Sequence, residues 1–233
     1  MPLKGRLFGL PGKVLVMRKF NQEKKKVRTL EDAVSFAFDF DYHGVTIRPL
    51  QVREELAALV KKMQDLSPKV VLEIGTSHGG TLYLLSRLAS SDASIISVDL
   101  RGGTHGGGYS RLRTPIYKSF ARGRQRIHLI NGNSHEDSTL TKVRHILNGR
   151  DVDFLFIDGD HTYDGVKADF DMYSGLVRNG GIVAFHDIVE HIVDPSVKVS
   201  TFWNEVKSNY EHDEIVKDWK QGWGGIGVIY RKT

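Results

Sequence analysis

From Val70 onward, short continuous apolar runs alternate with segments whose apolar residues recur every three or four positions. The runs are Val70–Ile74, Ile95–Asp99, Ile127–Ile130, Phe154–Asp158 and Ile182–Phe185. Helices between them are marked by Leu82, Leu85 and Leu88, by Leu140, Val143 and Leu147, and by Val166, Phe170, Tyr173 and Val177. Asn148-Gly149 and Asn179-Gly180-Gly181 supply helix stop signals. Strands with no polar face must be covered on both sides, so the pattern predicts an α/β fold with a Rossmann-like, doubly wound, mostly parallel sheet. A helical stretch around Val197–Ser208 follows, then strands near Glu214–Val216 and Ile226–Tyr230. That last pair is close enough in sequence to form an antiparallel C-terminal edge.

The first fifty residues are different. Lys24-Lys25-Lys26, with Arg18, Lys19 and Arg28, form a charged cluster that reads more readily as a solvated face than as a nucleic-acid patch. Thr29 can cap a helix with Asp32 at its third position and Leu30, Ala33, Val34, Ala37 and Phe38 on one face. Phe36, Phe38, Phe40 and Tyr42 also fit an alternating strand, but helix is preferred. An exposed aromatic face there would favour a homo-oligomer. Val52, Leu56, Leu59, Val60 and Met63 mark a further helix, closed by Pro68.

Composition narrows the chemistry. The 233 residues contain no cysteine, which excludes disulfides, cysteine nucleophiles and thiolate metal sites. No apolar run approaches the roughly 20 residues that span a bilayer, so no membrane role is expected and a cytoplasmic location is the default. The excess of 33 Lys+Arg over 28 Asp+Glu permits an anionic partner without requiring one.

The first strand runs into Glu73-Ile74-Gly75-Thr76-Ser77-His78-Gly79-Gly80-Thr81, and the second ends in Asp99. A glycine-rich strand-to-helix turn lets a ligand approach the backbone, and an acid at the next strand end is placed to bind ribose hydroxyls. Ser77 replaces the second glycine of the dinucleotide fingerprint, and acidic Glu73 suits an amino-bearing ligand better than a pyrophosphate. Two further strand ends carry polar groups: Asp158 on the fourth, His186 and Asp187 on the fifth. Adjacent parallel strands set these tips about 5 Å apart, so the two aspartates can converge on a metal, or can instead hydrogen-bond a ligand amine and cap helices. Asp160 reads as a cap or an alternative ligand. His78, His105, Tyr109 and Arg111 lie in or near loops able to fold over a ligand, and Gly102–Gly108 reads as a mobile lid or as a plain solvated loop. Trp203, Trp219 and Trp223 are assigned to packing.

Val71–Thr81 followed by Val98-Asp99 resembles the first two motifs of class I S-adenosylmethionine-dependent methyltransferases. Asp153–Ile188, with its IDGDH and FHD segments, is similar to the metal-dependent small-molecule O-methyltransferases, in the branch with sugar and macrolide enzymes and cephalosporin-hydroxylase-like relatives. The resemblance runs from about Leu50 to the C-terminus. It divides the chain into an N-terminal extension, 1–49, helical and in contact with substrate or another subunit, and an S-adenosylmethionine-binding domain, 50–233. By that resemblance Gly75, Thr76 and Ser77 line the methionine part of the cofactor, with Thr81 at its carboxylate and Glu73 just before the turn. Asp99 binds the ribose, Leu100 packs beside the adenine, and Asn133, Ser134 and His135 match the adenine-side loop. Asp158, which also borders the cofactor, holds a divalent metal (Mg or Mn) with His186 and Asp187, and His161 matches the catalytic base. His186 departs from the family's commoner acid, which favours softer cations than Mg²⁺. The implied function is methyl transfer to a hydroxyl of a small molecule, such as a sugar. An RNA methyltransferase and a non-methylating user of the fold are the alternatives; nucleic acid is disfavoured because no aromatic-and-basic module is present.

Overall fold

The computed structural model describes residues 10–102, 107–111 and 113–232. Helix α1 covers Leu10–Lys24 and α2 covers Leu30–Asp39. Thr29 caps α2 as the sequence predicts: its hydroxyl accepts from the Asp32 N–H at 3.1 Å, and the Asp32 carboxylate accepts from the Thr29 N–H at 3.0 Å. Ala33, Val34, Ala37 and Phe38 form the buried face. The strand reading of Phe36–Tyr42 holds only at its end, where β1 (Asp41–Tyr42) pairs with β2 (Val45–Thr46). The aromatic face there is not an outward patch. Phe36 and Phe40 pack on Phe20 of α1, with ring centroids 5.2 and 5.0 Å apart, and Phe36 also meets Tyr83. The chain covers its own aromatics, so this face gives no argument for oligomerisation. Helix α3 (Arg53–Met63) buries Leu56, Leu59, Val60 and Met63, the residues its spacing selected, and also Glu55.

The alternating half follows as β3 (Val70–Ile74), α4 (Gly80–Leu88), β4 (Ser94–Asp99), α5 (Arg113–Lys118), β5 (Arg126–Asn131), α6 (Asp137–Leu147), β6 (Val152–Ile157), α7 (Tyr163–Tyr173), β7 (Val177–His186), α8 (Val199–Val206), β8 (Glu211–Ile215) and β9 (Ile226–Tyr230). They form a seven-stranded sheet in the order β5-β4-β3-β6-β7-β9-β8. The first five strands are mutually parallel, while β9 runs antiparallel between β7 and β8. Successive residues of a strand face opposite sides, and two cores result. Val71, Phe154 and Phe156 point to the side covered by α1 to α5. Leu72, Ile74, Leu155 and Ile157 point to the side covered by α6, α7 and α8.

One helix boundary differs from the sequence reading. Helix α7 ends at Tyr173, and Val177 begins β7 rather than closing a helical face. Asn179-Gly180-Gly181 is therefore inside a strand. Gly180 donates to Arg231 O at 2.7 Å and Gly181 O accepts from the Arg231 N–H at 3.0 Å, while the β6 register shifts opposite. The glycines allow an irregular strand start that returns to the C-terminal segment; they do not stop a helix.

Chain order reverses between β3 and β6, since β4 and β5 lie to one side of β3 and β6 and β7 to the other. Such a switch point opens a crevice beyond the carboxyl ends of the strands. Among the described residues no helix is long and apolar enough to cross a membrane.

Candidate active site

The crevice is a cavity of about 590 Å³, in the range of small-molecule sites. Its floor is the β3–α4 turn. Gly75 has φ +87°, Ser77 φ +47° and Gly79 φ +90°. A Cβ at Gly75 would lie 1.9 Å from Asp158 O, so the missing side chain makes room for the neighbouring strand rather than for a ligand. Ser77 holds a left-handed backbone without being glycine, a strained conformation of the kind found at ligand sites, and its Oγ is buried without a hydrogen-bond partner.

Asp99 ends β4 beside this turn. Its Oδ2 accepts from the N–H groups of Ser77 at 3.1 Å and Gly108 at 2.9 Å. Burial pushes its carboxyl up, against those two donors. Leu100, Asn133, Ser134 and His135 border the same cavity. Asn133 Oδ1 accepts from the His135 N–H at 3.0 Å, and Ser134 O accepts from Tyr173 Oη at 2.7 Å. Asp169 lies 3.4 Å from His135 Nε2 and holds that imidazole above its usual pKa against the effect of burial.

Glu73 does not reach the cavity wall. Its strand position turns it to the same side as Val71, where it is fully buried. Ser97 Oγ donates to it at 2.6 Å, and Thr76 and Tyr109 complete a network of hydroxyls. Burial, partly offset by Ser97 and Thr76, pushes the carboxyl up to about 8. A group that is neutral at pH 7 is no counter-charge for an amine, so the expectation from the sequence is corrected. Thr76 joins this network and also borders the cavity.

At the other end of the cavity, ligand atoms of Asp158, His161 and Asp187 lie within 4.8 Å of one another. Asp187 Oδ2 is 2.7 Å from His161 Nδ1. His186 is almost fully buried beside them, with Nδ1 at 3.2 Å from Asp158 Oδ1 and 3.3 Å from Asp187 Oδ2. Burial alone would lower the pKa of both histidines. The carboxylates outweigh it, raising His161 and holding His186 well above its usual value. Burial would likewise raise Asp187, but His186 and His161 keep it well below the ordinary carboxylate range. Asp187 itself sits at φ +64°, a second left-handed non-glycine backbone bordering this cavity. The donor set of two carboxylate oxygens and imidazole nitrogen suits a first-row divalent cation. The trio that converges contains His161 in addition to the strand-tip aspartates, with His186 packed against both carboxylates. Asp160 resolves as a turn residue: its Oδ1 accepts from the Thr162 N–H at 2.9 Å, and Thr162 caps α7.

Three participants were not read from the sequence. Gln51 bridges the two ends of the site: Thr81 Oγ1 donates to its Oε1 at 3.0 Å, and its Nε2 donates to Asp158 Oδ2 at 2.5 Å. Gly224 donates its N–H to Asp187 Oδ1 at 3.0 Å. Trp223, assigned to packing, borders the cavity and is 40% exposed. None belongs to a periodic pattern, so only tertiary contact reveals them. His78 borders the cavity as well, Tyr109 is buried beneath it, Arg111 is exposed, and His105 lies outside the described residues.

A family model described as a methyltransferase domain matches residues 72–188, half of the chain and the stretch that carries every strand tip above. The chain belongs to this methyltransferase family. The chain is 31% identical over 146 residues to Uncharacterized protein R132 of Acanthamoeba polyphaga mimivirus; the match covers 63% of this chain and 62% of the relative's length. Its fold is similar to a putative caffeoyl-CoA O-methyltransferase from Staphylococcus aureus (TM-score 0.60, 19% identity, 94% of this chain and 98% of that one). It is also similar to the O-methyltransferase from Bacillus cereus in complex with SAH (TM-score 0.56, 20% identity, 87% and 90%). A third is the O-methyltransferase TomG from Streptomyces achromogenes in complex with SAM (TM-score 0.55, 16% identity, 88% and 89%). At these identities the likeness establishes the class I methyltransferase fold.

Proposed function

We propose that this methyltransferase domain transfers a methyl group from S-adenosylmethionine to a hydroxyl of a small molecule, with a vicinal diol of a sugar or similar polyol as the acceptor class. The observation that carries the reading is the convergence of Asp158, His161 and Asp187 at one end of a cavity whose other end is the Gly75–Ser77 turn and Asp99. Two of the fold relatives carry SAH or SAM, which supports the same cofactor here. Gly75, Ser77 and Thr81 then border its methionine part, Asp99 its ribose, and Leu100 with Asn133, Ser134 and His135 its adenine.

The Asp187 carboxylate at His161 Nδ1 favours the tautomer in which Nε2 is the basic nitrogen. His161 takes the acceptor's hydroxyl proton. The oxygen lone pair forms the new O–C bond as the S–C bond breaks, and that electron pair stays on sulfur as S-adenosylhomocysteine leaves. Asp158 and Asp187, with the imidazole of His186 beside both carboxylates, would hold a divalent cation. When bound, such a cation stabilises the deprotonated hydroxyl by charge. Pro49 brings the end of the N-terminal segment to the cavity wall, beside Leu50 and Gln51 of the following domain, which supports a substrate-contacting role for that region. A cytoplasmic location belongs to the same reading.

The test is S-adenosylhomocysteine release with a panel of polyol and catechol acceptors, with and without Mg²⁺ or Mn²⁺. His161→Ala should lower kcat by about 10²–10⁴ and leave S-adenosylhomocysteine binding intact. Full turnover in that variant would remove His161 from the reaction.

A further inference from the structure

We infer that the cleft between the start of α2, the end of α4 and the loop after α5 is a binding site for a phosphate-bearing small molecule, gripped by Arg28, Arg87 and Arg122. The cleft holds about 310 Å³, the small end of the roughly 300–1,000 Å³ range of ligand cavities. It shares no lining residue with the active-site cavity. Arg87 lies at the opposite end of α4 from Gly80, so the two sites occupy different ends of one helix.

The walls of the cleft are guanidinium groups over the apolar side chains of Leu30, Ala33 and Leu88. No carboxylate lines it, and among the described residues none comes within ion-pairing distance of these three arginines. Arg122 is fixed rather than swinging free: Nε donates to Ser86 O at 3.3 Å and Nη2 to Ala89 O at 3.1 Å, carbonyls at the end of α4. Lys24 lies near Arg87, its ammonium held on Ser119 O. Burial and then the charge of Arg87 depress the pKa of both Lys24 and Arg122. Asp32 lies next to the cleft, but its carboxylate is engaged by the backbone N–H groups of Arg28 at 2.8 Å and Thr29 at 3.0 Å and not by a guanidinium. Cations with no paired carboxylate repel one another, and a multivalent anion relieves that cost. Arginine forks fit phosphate oxygens two at a time, and an anchored fork loses little freedom on binding.

The surroundings favour a small ligand over a polymer. Nucleic-acid backbones are tracked by a run of available cations. Here Lys19 and Lys26 are both drawn onto Glu23 at 2.7 Å and Lys24 onto Ser119 O, so three members of the basic run beside the cleft are already engaged. Three arginines instead converge on one concave pocket.

The experiment is calorimetric titration of the full chain with inorganic phosphate and with tripolyphosphate, at ionic strength held constant with chloride. Saturable binding is expected, tighter for tripolyphosphate. Arg28→Gln and Arg87→Gln should each weaken it by about tenfold or more with the ligand-free urea midpoint unchanged; Arg28 is exposed and Arg87 half-buried, and among the described residues neither side chain makes a hydrogen bond or ion pair, unlike Arg122. Heats equal to those of chloride, or binding indifferent to both substitutions, would overturn the assignment. So would a single-stranded RNA that binds and is not displaced by tripolyphosphate, because its site would then be an extended surface.

Discussion

Glu73 brings a carboxyl group into a sheet face otherwise built from Val71, Phe154 and Phe156. Its oxygen Oε1 has no hydrogen-bond partner, which a neutral acid tolerates and a carboxylate does not. The folded state therefore keeps the proton up to about pH 8, while the unfolded chain releases it near 4.5. The sign follows from linkage. Between those two values the folded state binds more protons than the unfolded one, so stability contributed by the neutral acid is complete below 4.5 and is lost as pH rises toward 8. The loss runs at up to roughly 1.4 kcal/mol per pH unit. Glu73→Gln keeps the shape and removes the titration. In urea denaturation, the variant's stability relative to the native chain should improve steadily from about pH 5 to about pH 8.5. A constant difference across that range would mean that Glu73 is ionised in the folded protein.

The β3–α4 turn shows what an element must satisfy beyond its own propensity. Gly75 is required twice, by φ +87° and by Asp158 O at 1.9 Å from where a Cβ would stand. Gly149 has a similar φ of +78° and open space around it. Gly75→Ala should thus cost about 2–5 kcal/mol and abolish S-adenosylhomocysteine binding by forcing the tips of β3 and β6 apart. Gly149→Ala should cost only about 1 kcal/mol and leave binding unchanged; denaturant midpoints with calorimetry separate the two, and equal costs would refute the crowding argument. Most of the buried strands were legible because they are short apolar runs, and three of them close on polar residues that border the candidate site: Asp99, Asp158, and His186 with Asp187. Other elements lacked such a signal. Helix α1 buries Val16 and Phe20 but leaves Val14 and Leu15 exposed, so its apolar residues form no clean face. Helix α5 has six residues and contains Pro115, and the edge strand β8 is mostly polar, so its sequence assignment began three residues late. Asn179-Gly180 misled because a glycine pair marks a bulged strand as well as a helix end.

At the scale of the molecule, the family-matched centre, residues 72–188, is not alone in holding the candidate site groups in place. Gln51 reaches Asp158 from before it, and Gly224 reaches Asp187 from after it. Glu55 on α3 joins these flanks. Its Oε1 accepts from the Lys217 N–H at 2.9 Å and from Gln221 Nε2 at 2.7 Å, and its Oε2 accepts from the Gly225 N–H at 2.8 Å. The loop so fixed carries Trp223 and Gly224 and is zipped to the segment after β7 through Val189 N–H to Gly224 O at 2.9 Å and Ile192 N–H to Gly222 O at 2.9 Å. A buried carboxylate on the N-terminal side thereby sets the C-terminal donor that steadies Asp187. Glu55→Gln keeps the volume but turns an amide NH₂ toward groups that also donate, leaving one or more donors unpaired. The expected cost is about 1–3 kcal/mol in urea denaturation. Turnover should fall with little change in cofactor affinity, because the effect passes to Asp187 and His161 and not to the Gly75 turn. A neighbouring control, Glu54→Gln, loses the exposed contact with Lys217 Nζ and should change neither quantity. If Glu55→Gln lost stability without any fall in kcat, the loop would be a structural tie alone and the coupling to Asp187 would be wrong.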